Sequence, residues 1–307
     1  MRVAIIGRTE ILYDTALQLH EAGHEIVCIL TAKEAPEYKR GAEDFRALSA
    51  KWAIPFASSA RIREQRDFFV QARADIGVSI NYSGVIPEEI TALFPLGILN
   101  AHGGDLPRYR GNACQAWAIL NGEQKIGLCI HRMIGDELDS GDIIARVHLP
   151  IDINSKVGHV MDWIEAVTPR QFVDALSRLQ CDPGFILEHQ SKDSTVALRC
   201  YPRRPEDGRI DWHKPAINVL RQINASNKPY AGAFCDYEGR KFIIWDAELV
   251  NDGEIFCAVP GQVTAIDQDG IEVACGSGKL KIKMVQIDGD DECSPTCYIS
   301  SIRKRLS

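Results

Sequence analysis

The stretch Gly97-Ile-Leu-Asn-Ala-His-Gly-Gly-Asp-Leu-Pro-Arg-Tyr-Arg-Gly111 starts as a buried strand and ends as a loop. Ile98 and Leu99 close a short apolar run. Gly103-Gly104 and Pro107 follow, and a strand cannot absorb them. Asn100 and His102 stand two positions apart at that edge, so an extended chain turns both to one face. A carboxamide donor and a titratable imidazole would share one side of a strand's carboxyl end. Open α/β sheets place their ligands there.

Working outward, Arg2-Val-Ala-Ile-Ile-Gly7 reads as a buried strand. Glu10 to Ala22 has helical periodicity, with Leu12, Ala16, Leu19 and Ala22 on one stripe, and His24 to Leu30 is the next strand. This is a βαβ opening. After Gly7 comes Arg-Thr-Glu, so the glycine fingerprint for a dinucleotide is absent. Asp44–Trp52 and Arg61–Ala74 read as helices, Ile54–Phe56 and Asp75–Ile80 as strands, and Pro87-Glu88 opens a helix. Beyond the quoted stretch follow a helix over Asn112–Leu120, strands over Ile126–Met133 and Ile143–Val147, and a helix over His159–Leu179. The alternation predicts a mostly parallel, Rossmann-like α/β domain over residues 1–198.

From Arg199 the pattern changes. Tyr201 to Gly208 is rich in turn residues, and Pro215–Ser226 reads as a helix. Five short strands separated by Gly- and Asp-rich turns then run from Ala233 to Ile287. They predict a smaller all-β domain over 199–307, with an OB-like barrel as the expected form.

The chain has 307 residues, a net charge of −7 and 45% hydrophobic residues. Nothing in that balance advertises a nucleic-acid footprint, since such proteins usually carry a basic face. No apolar run reaches membrane-spanning length, and the start shows no signal-peptide pattern, so a cytoplasmic protein is expected. The ten cysteines are scattered. Cys28, Cys114, Cys129 and Cys275 sit in apolar surroundings, and Cys293 and Cys297 lack a partner pair for zinc. Free thiols and no metal are expected.

His102 leaves a strand for a Gly-Gly loop, where core packing explains it poorly. A histidine can pass protons near neutral pH, and a carboxamide can donate to an oxyanion without changing charge. A carboxylate to support the imidazole is the missing part. Asp136, Glu137, Asp139 and Asp142 share one turn after the next strand, and spacing alone does not choose among them. Ser83 lacks a nucleophile elbow. Cys129-Ile-His131 reads as a strand alternating its faces, Trp117 as a core residue, and Arg110 as a loop-fixing side chain or an anion contact.

Asn100-Ala-His102, Leu106-Pro-Arg-Tyr-Arg-Gly111 and Asp139-Ser-Gly141 together resemble the folate-dependent formyltransferases. The resemblance covers nearly the whole chain. Pro202 to Trp212 and Pro229 to Phe234 look like the linker and C-terminal barrel of the methionyl-tRNA and aminosugar members. It implies N10-formyltetrahydrofolate as formyl donor and a primary amine as acceptor. Asn100 would hold the oxyanion, His102 would move the proton, and Asp139 would support the histidine. Gly84, Val85 and Ile86, with Gly135, Asp136, Glu137 and Leu138, would hold the folate.

Val78 to Arg132 is similar to the enzymes that formylate UDP-4-amino-4-deoxy-arabinose and other nucleotide-linked amino sugars, notably in Trp117–Glu123 and His131–Met133. Methionyl-tRNA formyltransferases carry a longer basic insertion before the position of Ile54. Here Thr31 to Arg40 is short and mixed in charge, a poor match for a polyanion. The expected acceptor is a nucleotide-linked amino sugar, with Asp105, Tyr109, Arg110 and Trp117 as substrate-binding residues. Gly104-Asp105 departs from the family's usual Ser-Leu, and Asp105 would hold the acceptor ammonium or another polar sugar group, or else cap a turn. Asn112 replaces a frequent Arg. The alternatives are a methionyl-tRNA formyltransferase and a folate- or sugar-binding module without turnover. A scaffold or homodimer role for the barrel is as compatible as substrate contact.

Overall fold

Strand β1 (Arg2–Gly7) is buried on both faces, as its unbroken apolar run requires. Val3 and Ile5 enter one apolar cluster, and Ala4 and Ile6 enter another. The structure is a computed structural model that describes residues 1–34 and 38–307. Within Thr31–Arg40, the stretch expected to lack a basic insertion, residues 35–37 lie outside the described residues.

The chain continues through α1 (Glu10–Glu21), β2 (Glu25–Thr31), α2 (Ala42–Trp52), β3 (Phe56–Ser58), α3 (Arg66–Ala72), β4 (Ile76–Ile80), α4 (Glu88–Thr91), β5 (Ile98–His102) and β6 (Tyr109–Gly111). Next come α5 (Cys114–Asn121), β7 (Lys125–Arg132), β8 (Ile143–Pro150), α6 (Val157–Cys181) and β9 (Leu198–Cys200). The main sheet has seven strands in the order β3-β2-β1-β4-β5-β7-β8. From β3 to β5 neighbours are parallel, and β7 runs antiparallel to β5. Leu12, Ala16 and Leu19 of α1, Phe45 of α2 and Phe172 of α6 cover one face; Phe69 of α3 and Ile90 of α4 cover the other. This is a three-layer Rossmann-like arrangement. The expected single helix Arg61–Ala74 is instead a 3-10 turn, Ile62–Gln65, followed by α3. Gln65, at φ −99° and ψ 12°, leaves α geometry between them.

Packing divides the chain into two units. The first comprises Met1–Gly111, Gly127–Leu149 and Asp162–Cys200; the second comprises Asn112–Ile126, Pro150–Met161 and Tyr201–Ser307. In the second unit α7 (Ala216–Ala225) buries Val219, Leu220 and Ile223 in a core shared with β10 (Ala233–Tyr237), β11 (Arg240–Val250), β12 (Val263–Asp267), β13 (Gly270–Ala274) and β14 (Lys279–Ile287). These strands form an antiparallel sheet ordered β10-β11-β14-β13-β12. The expected closed barrel is not found. Among the described residues β10 does not pair with β12, and the C-terminal segment occupies both edges instead. Val263 donates to Lys304 O and Leu306 to Gly261 O, while Asp236 and Ser307 exchange two backbone bonds. Backbone groups left open at two sheet edges are satisfied by the tail rather than by each other.

None of the ten cysteines is disulfide-bonded, and Cys28, Cys114, Cys129 and Cys275 are buried as expected. Among the described residues no helix is long and apolar enough to cross a membrane.

Candidate active site

Strand β5 ends at the carboxyl edge of the sheet, and its pairing with β7 sets the site. The register places Asn100 opposite His131 and His102 opposite Cys129. Cross-strand partners share a face, so Asn100, His102 and His131 converge. Asn100 Nδ2 lies 3.3 Å from His131 Nε2. The His102 and His131 rings meet edge to face at 6.2 Å.

His102 is buried, with Nε2 2.7 Å from the Tyr109 carbonyl oxygen. A carbonyl only accepts, so Nε2 carries a proton and donates. The other nitrogen, Nδ1, faces Asp139 Oδ2 at 3.4 Å. Burial pushes the imidazole below the ordinary histidine range, and the pull of the Asp139 charge does not fully restore it. A neutral His102 therefore has its lone pair on Nδ1, beside a carboxylate able to stabilise the imidazolium once a proton is taken.

Asp139 is approached from three sides. The Gly111 N–H donates to Oδ2 at 2.9 Å, His131 Nε2 stands 3.6 Å from Oδ1, and His102 faces Oδ2. Burial alone would raise this carboxyl, but the two histidines and the Gly111 N–H outweigh it and hold it well below the usual carboxylate range. Of the four acidic residues in the turn, this is the one brought to His102. Asp139 adopts φ 47°, a left-handed conformation that Asp tolerates. Gly111 is required where it stands: its φ is 107°, and a Cβ would lie 2.4 Å from the Cys200 carbonyl oxygen across the β6–β9 pair.

The proposed folate segments lie side by side. Asp136 N–H donates to Ile86 O, and Glu88 N–H to the Asp136 carboxylate. Gly135 is needed there, because a Cβ would stand 2.3 Å from Glu88 N. Gly84 is exposed, Val85 is 60% exposed and Ile134 41%, while Ile86 is fully buried. The exposed apolar side chains and the close backbone suit a flat heterocycle. Glu137 accepts from Ser140 Oγ, and Leu138 is half-buried.

The four residues assigned to the acceptor occupy different surroundings. Asp105 pairs with Arg146 at 2.5 Å and His148 at 3.0 Å. Tyr109 has a buried ring and offers its carbonyl to His102. Arg110 donates to Gln190 Oε1 and Ser191 O, the loop-fixing arrangement. Trp117, in the second unit, donates its indole N–H to Tyr201 O. Two residues passed over in the sequence join the site. His131 is one; its signal was its position opposite Asn100, which needs the strand register. Gln190 is the other, donating to the Asp139 and Gly141 carbonyls from a point 51 residues beyond Asp139. Among the described residues no group of His, Cys, Asp and Glu is arranged for a metal.

A Rossmann-like sheet here carries a buried histidine beside a carboxylate and a carboxamide at its carboxyl edge, groups able to move a proton and to donate to an oxyanion. Residues 1–176 match the family described as formyl transferase, and residues 203–303 match the formyl transferase C-terminal domain. A methionyl-tRNA formyltransferase of Ralstonia nicotianae is 30% identical over 304 residues, spanning 94% of this chain and 91% of that protein. The chain belongs to the formyl transferase family. Its fold is similar to that of an N-formyltransferase from Helicobacter canadensis, solved with folinic acid and dTDP-3-aminofucose (TM-score 0.70, 16% identity, 92% of this chain and 98% of that one). It is also similar to HypX from Aquifex aeolicus, solved with tetrahydrofolic acid (TM-score 0.62, 17% identity, 98% of this chain). The chain spans only 47% of HypX.

Proposed function

We propose that the protein transfers the formyl group of N10-formyltetrahydrofolate to the primary amine of a nucleotide-linked amino sugar. The single observation that carries the chemistry is the cluster of Asn100, His102 and Asp139. Asn100 donates to the oxygen of the formyl carbon as the amine adds to it. His102 Nδ1 takes the proton the amine loses and returns it to the folate nitrogen as the old carbon–nitrogen bond breaks. Asp139 stabilises the imidazolium in between. Gly84 to Ile86 and Gly135 to Leu138 are the segments assigned to the folate. Asp105, Tyr109, Arg110 and Trp117 remain assigned to the acceptor side, through backbone and loop position for those already bonded elsewhere. Residues 1–198 supply the chemistry. Residues 199–307 are read as an OB-like antiparallel sheet whose two open edges are paired with its own C-terminal tail.

Charge supports the sugar acceptor. The net charge is −7, and two of the three cations between β2 and α2 are paired within the chain: Lys39 with Glu165 and Arg40 with Asp44. That segment offers little to a phosphate backbone. The folate and dTDP-aminosugar complex of the Helicobacter canadensis protein agrees with this reading. The Ralstonia nicotianae relative favours a second one, methionyl-tRNA. A formylation assay with N10-formyltetrahydrofolate, a panel of UDP- and dTDP-linked amino sugars and charged initiator tRNA separates the two. Turnover on one sugar nucleotide and none on tRNA is expected; turnover on tRNA alone would replace the proposal with the second reading.

A further inference from the structure

His131 lies on β7, one strand away from the residues assigned to chemistry, and none of the roles above uses it. Its Nδ1 is 2.9 Å from the carbonyl oxygen of Arg132. That oxygen cannot donate, so Nδ1 must carry the ring proton. In the neutral ring Nε2 is then an acceptor, and the group 3.3 Å away is Asn100 Nδ2. A carboxamide has two chemically opposite ends, and its orientation follows from what each end meets. The His131 lone pair selects the orientation with the nitrogen toward the ring. One Asn100 N–H is held by His131, and the second leaves the same nitrogen for a substrate oxygen.

We propose that neutral His131, in its Nδ1–H form, is a positioning residue that sets the Asn100 amide as an oxyanion donor. The inference rests on the formyl-transfer reading of Asn100. A charged His131 would turn a second N–H toward Asn100 and drive the amide over, so that its oxygen rather than its nitrogen met the ring. The charged and titratable groups facing His131 are Asp139 at 3.6 Å from Nε2 and the His102 ring across β5. On its own strand, the neighbouring Arg132 guanidinium is engaged with Leu96 O and Pro183 O. Asp139 is shared with His102 and the Gly111 N–H, and the 3.3 Å Asn100 contact is shorter than the one to Asp139.

Two measurements test this. Long-range 1H–15N NMR of the full chain, with His131 assigned by loss of its signals in His131→Gln, reads the tautomer without any acceptor. A protonated Nδ1 and bare Nε2 at pH 7.5 are expected; a proton on Nε2 overturns the proposal. Kinetics then use N10-formyltetrahydrofolate with the acceptor that turns over. His131→Leu is expected to lower kcat roughly 10- to 100-fold with little change in the KM for folate. His131→Gln, whose carbonyl can accept from Asn100, recovers most of the loss. Unchanged kcat in His131→Leu, or equal losses in both variants, overturns the positioning role. If Asn100→Ala itself retains full activity, the oxyanion reading fails instead; a large loss in Asn100→Ala beside an active His131→Leu leaves that reading standing and removes only His131.

Discussion

At the scale of single residues, the site turns on which nitrogen of His102 meets the Tyr109 carbonyl and which faces Asp139. Tyr109 O is bonded to Nε2, so in the proposed reaction Nδ1 beside Asp139 acts as the base. His102→Ala should lower kcat by about 10²- to 10⁴-fold, the usual range for a lost acid–base group. Asp139→Asn should also lower kcat, because a neutral amide no longer stabilises the imidazolium; kcat of Asp139→Asn equal to wild type would remove that role. Burial also links His102 to stability. Its pKa is lowered in the fold, as is that of His24, buried beside the N-terminal amine. As pH falls below the ordinary histidine value of 6.5, the unfolded chain takes protons that the folded chain still refuses. Stability from these two groups is therefore complete above that pH and declines below it. Asp139, shifted down, adds stability above its ordinary 3.8 that is lost only in stronger acid. Urea midpoints between pH 7.5 and 5 should fall less steeply in His102→Gln than in the wild type; parallel curves would show that the buried imidazole does not contribute.

At the scale of elements, the loop after β7 performs two tasks through its backbone. It carries Asp139 to His102, and it lies against the segment before α4. Gly135 makes that approach possible, since a Cβ there meets the Glu88 backbone at 2.3 Å. Gly135→Ala should raise the KM for N10-formyltetrahydrofolate at least several-fold while leaving far-UV circular dichroism unchanged. An unaltered folate KM would detach this loop from the cofactor side of the reaction. The strands themselves were readable because their apolar runs are long and bounded by turn residues. β6 and β9 were not: each has three residues, and they pair across nearly ninety positions.

At the scale of the whole molecule, charge is the property that separates the two acceptors. An acidic chain acting on a small nucleotide should show a shallow dependence on salt, whereas tRNA binding falls steeply as phosphates lose their counterion advantage. Raising sodium chloride from 50 to 200 mM should change kcat/KM on the preferred sugar nucleotide by less than about tenfold. A loss of 10³-fold or more would point to a polyanion.

By itself the sequence determined the Rossmann-like sheet, the change of pattern near Arg199, and the placing of Asn100 and His102 on one face at a strand's end. Each is a local property: apolar period, turn chemistry, and the two-residue repeat of an extended chain. Tertiary structure decided the rest. It selected Asp139 from four carboxylates, brought in His131 and Gln190, tied up Asp105 with Arg146, and ran the C-terminal tail along both open sheet edges. These facts depend on strand register and on segments far apart in the chain meeting in space. No local pattern records such meetings, because each partner's sequence is compatible with many others until the backbone has brought one of them within bonding distance.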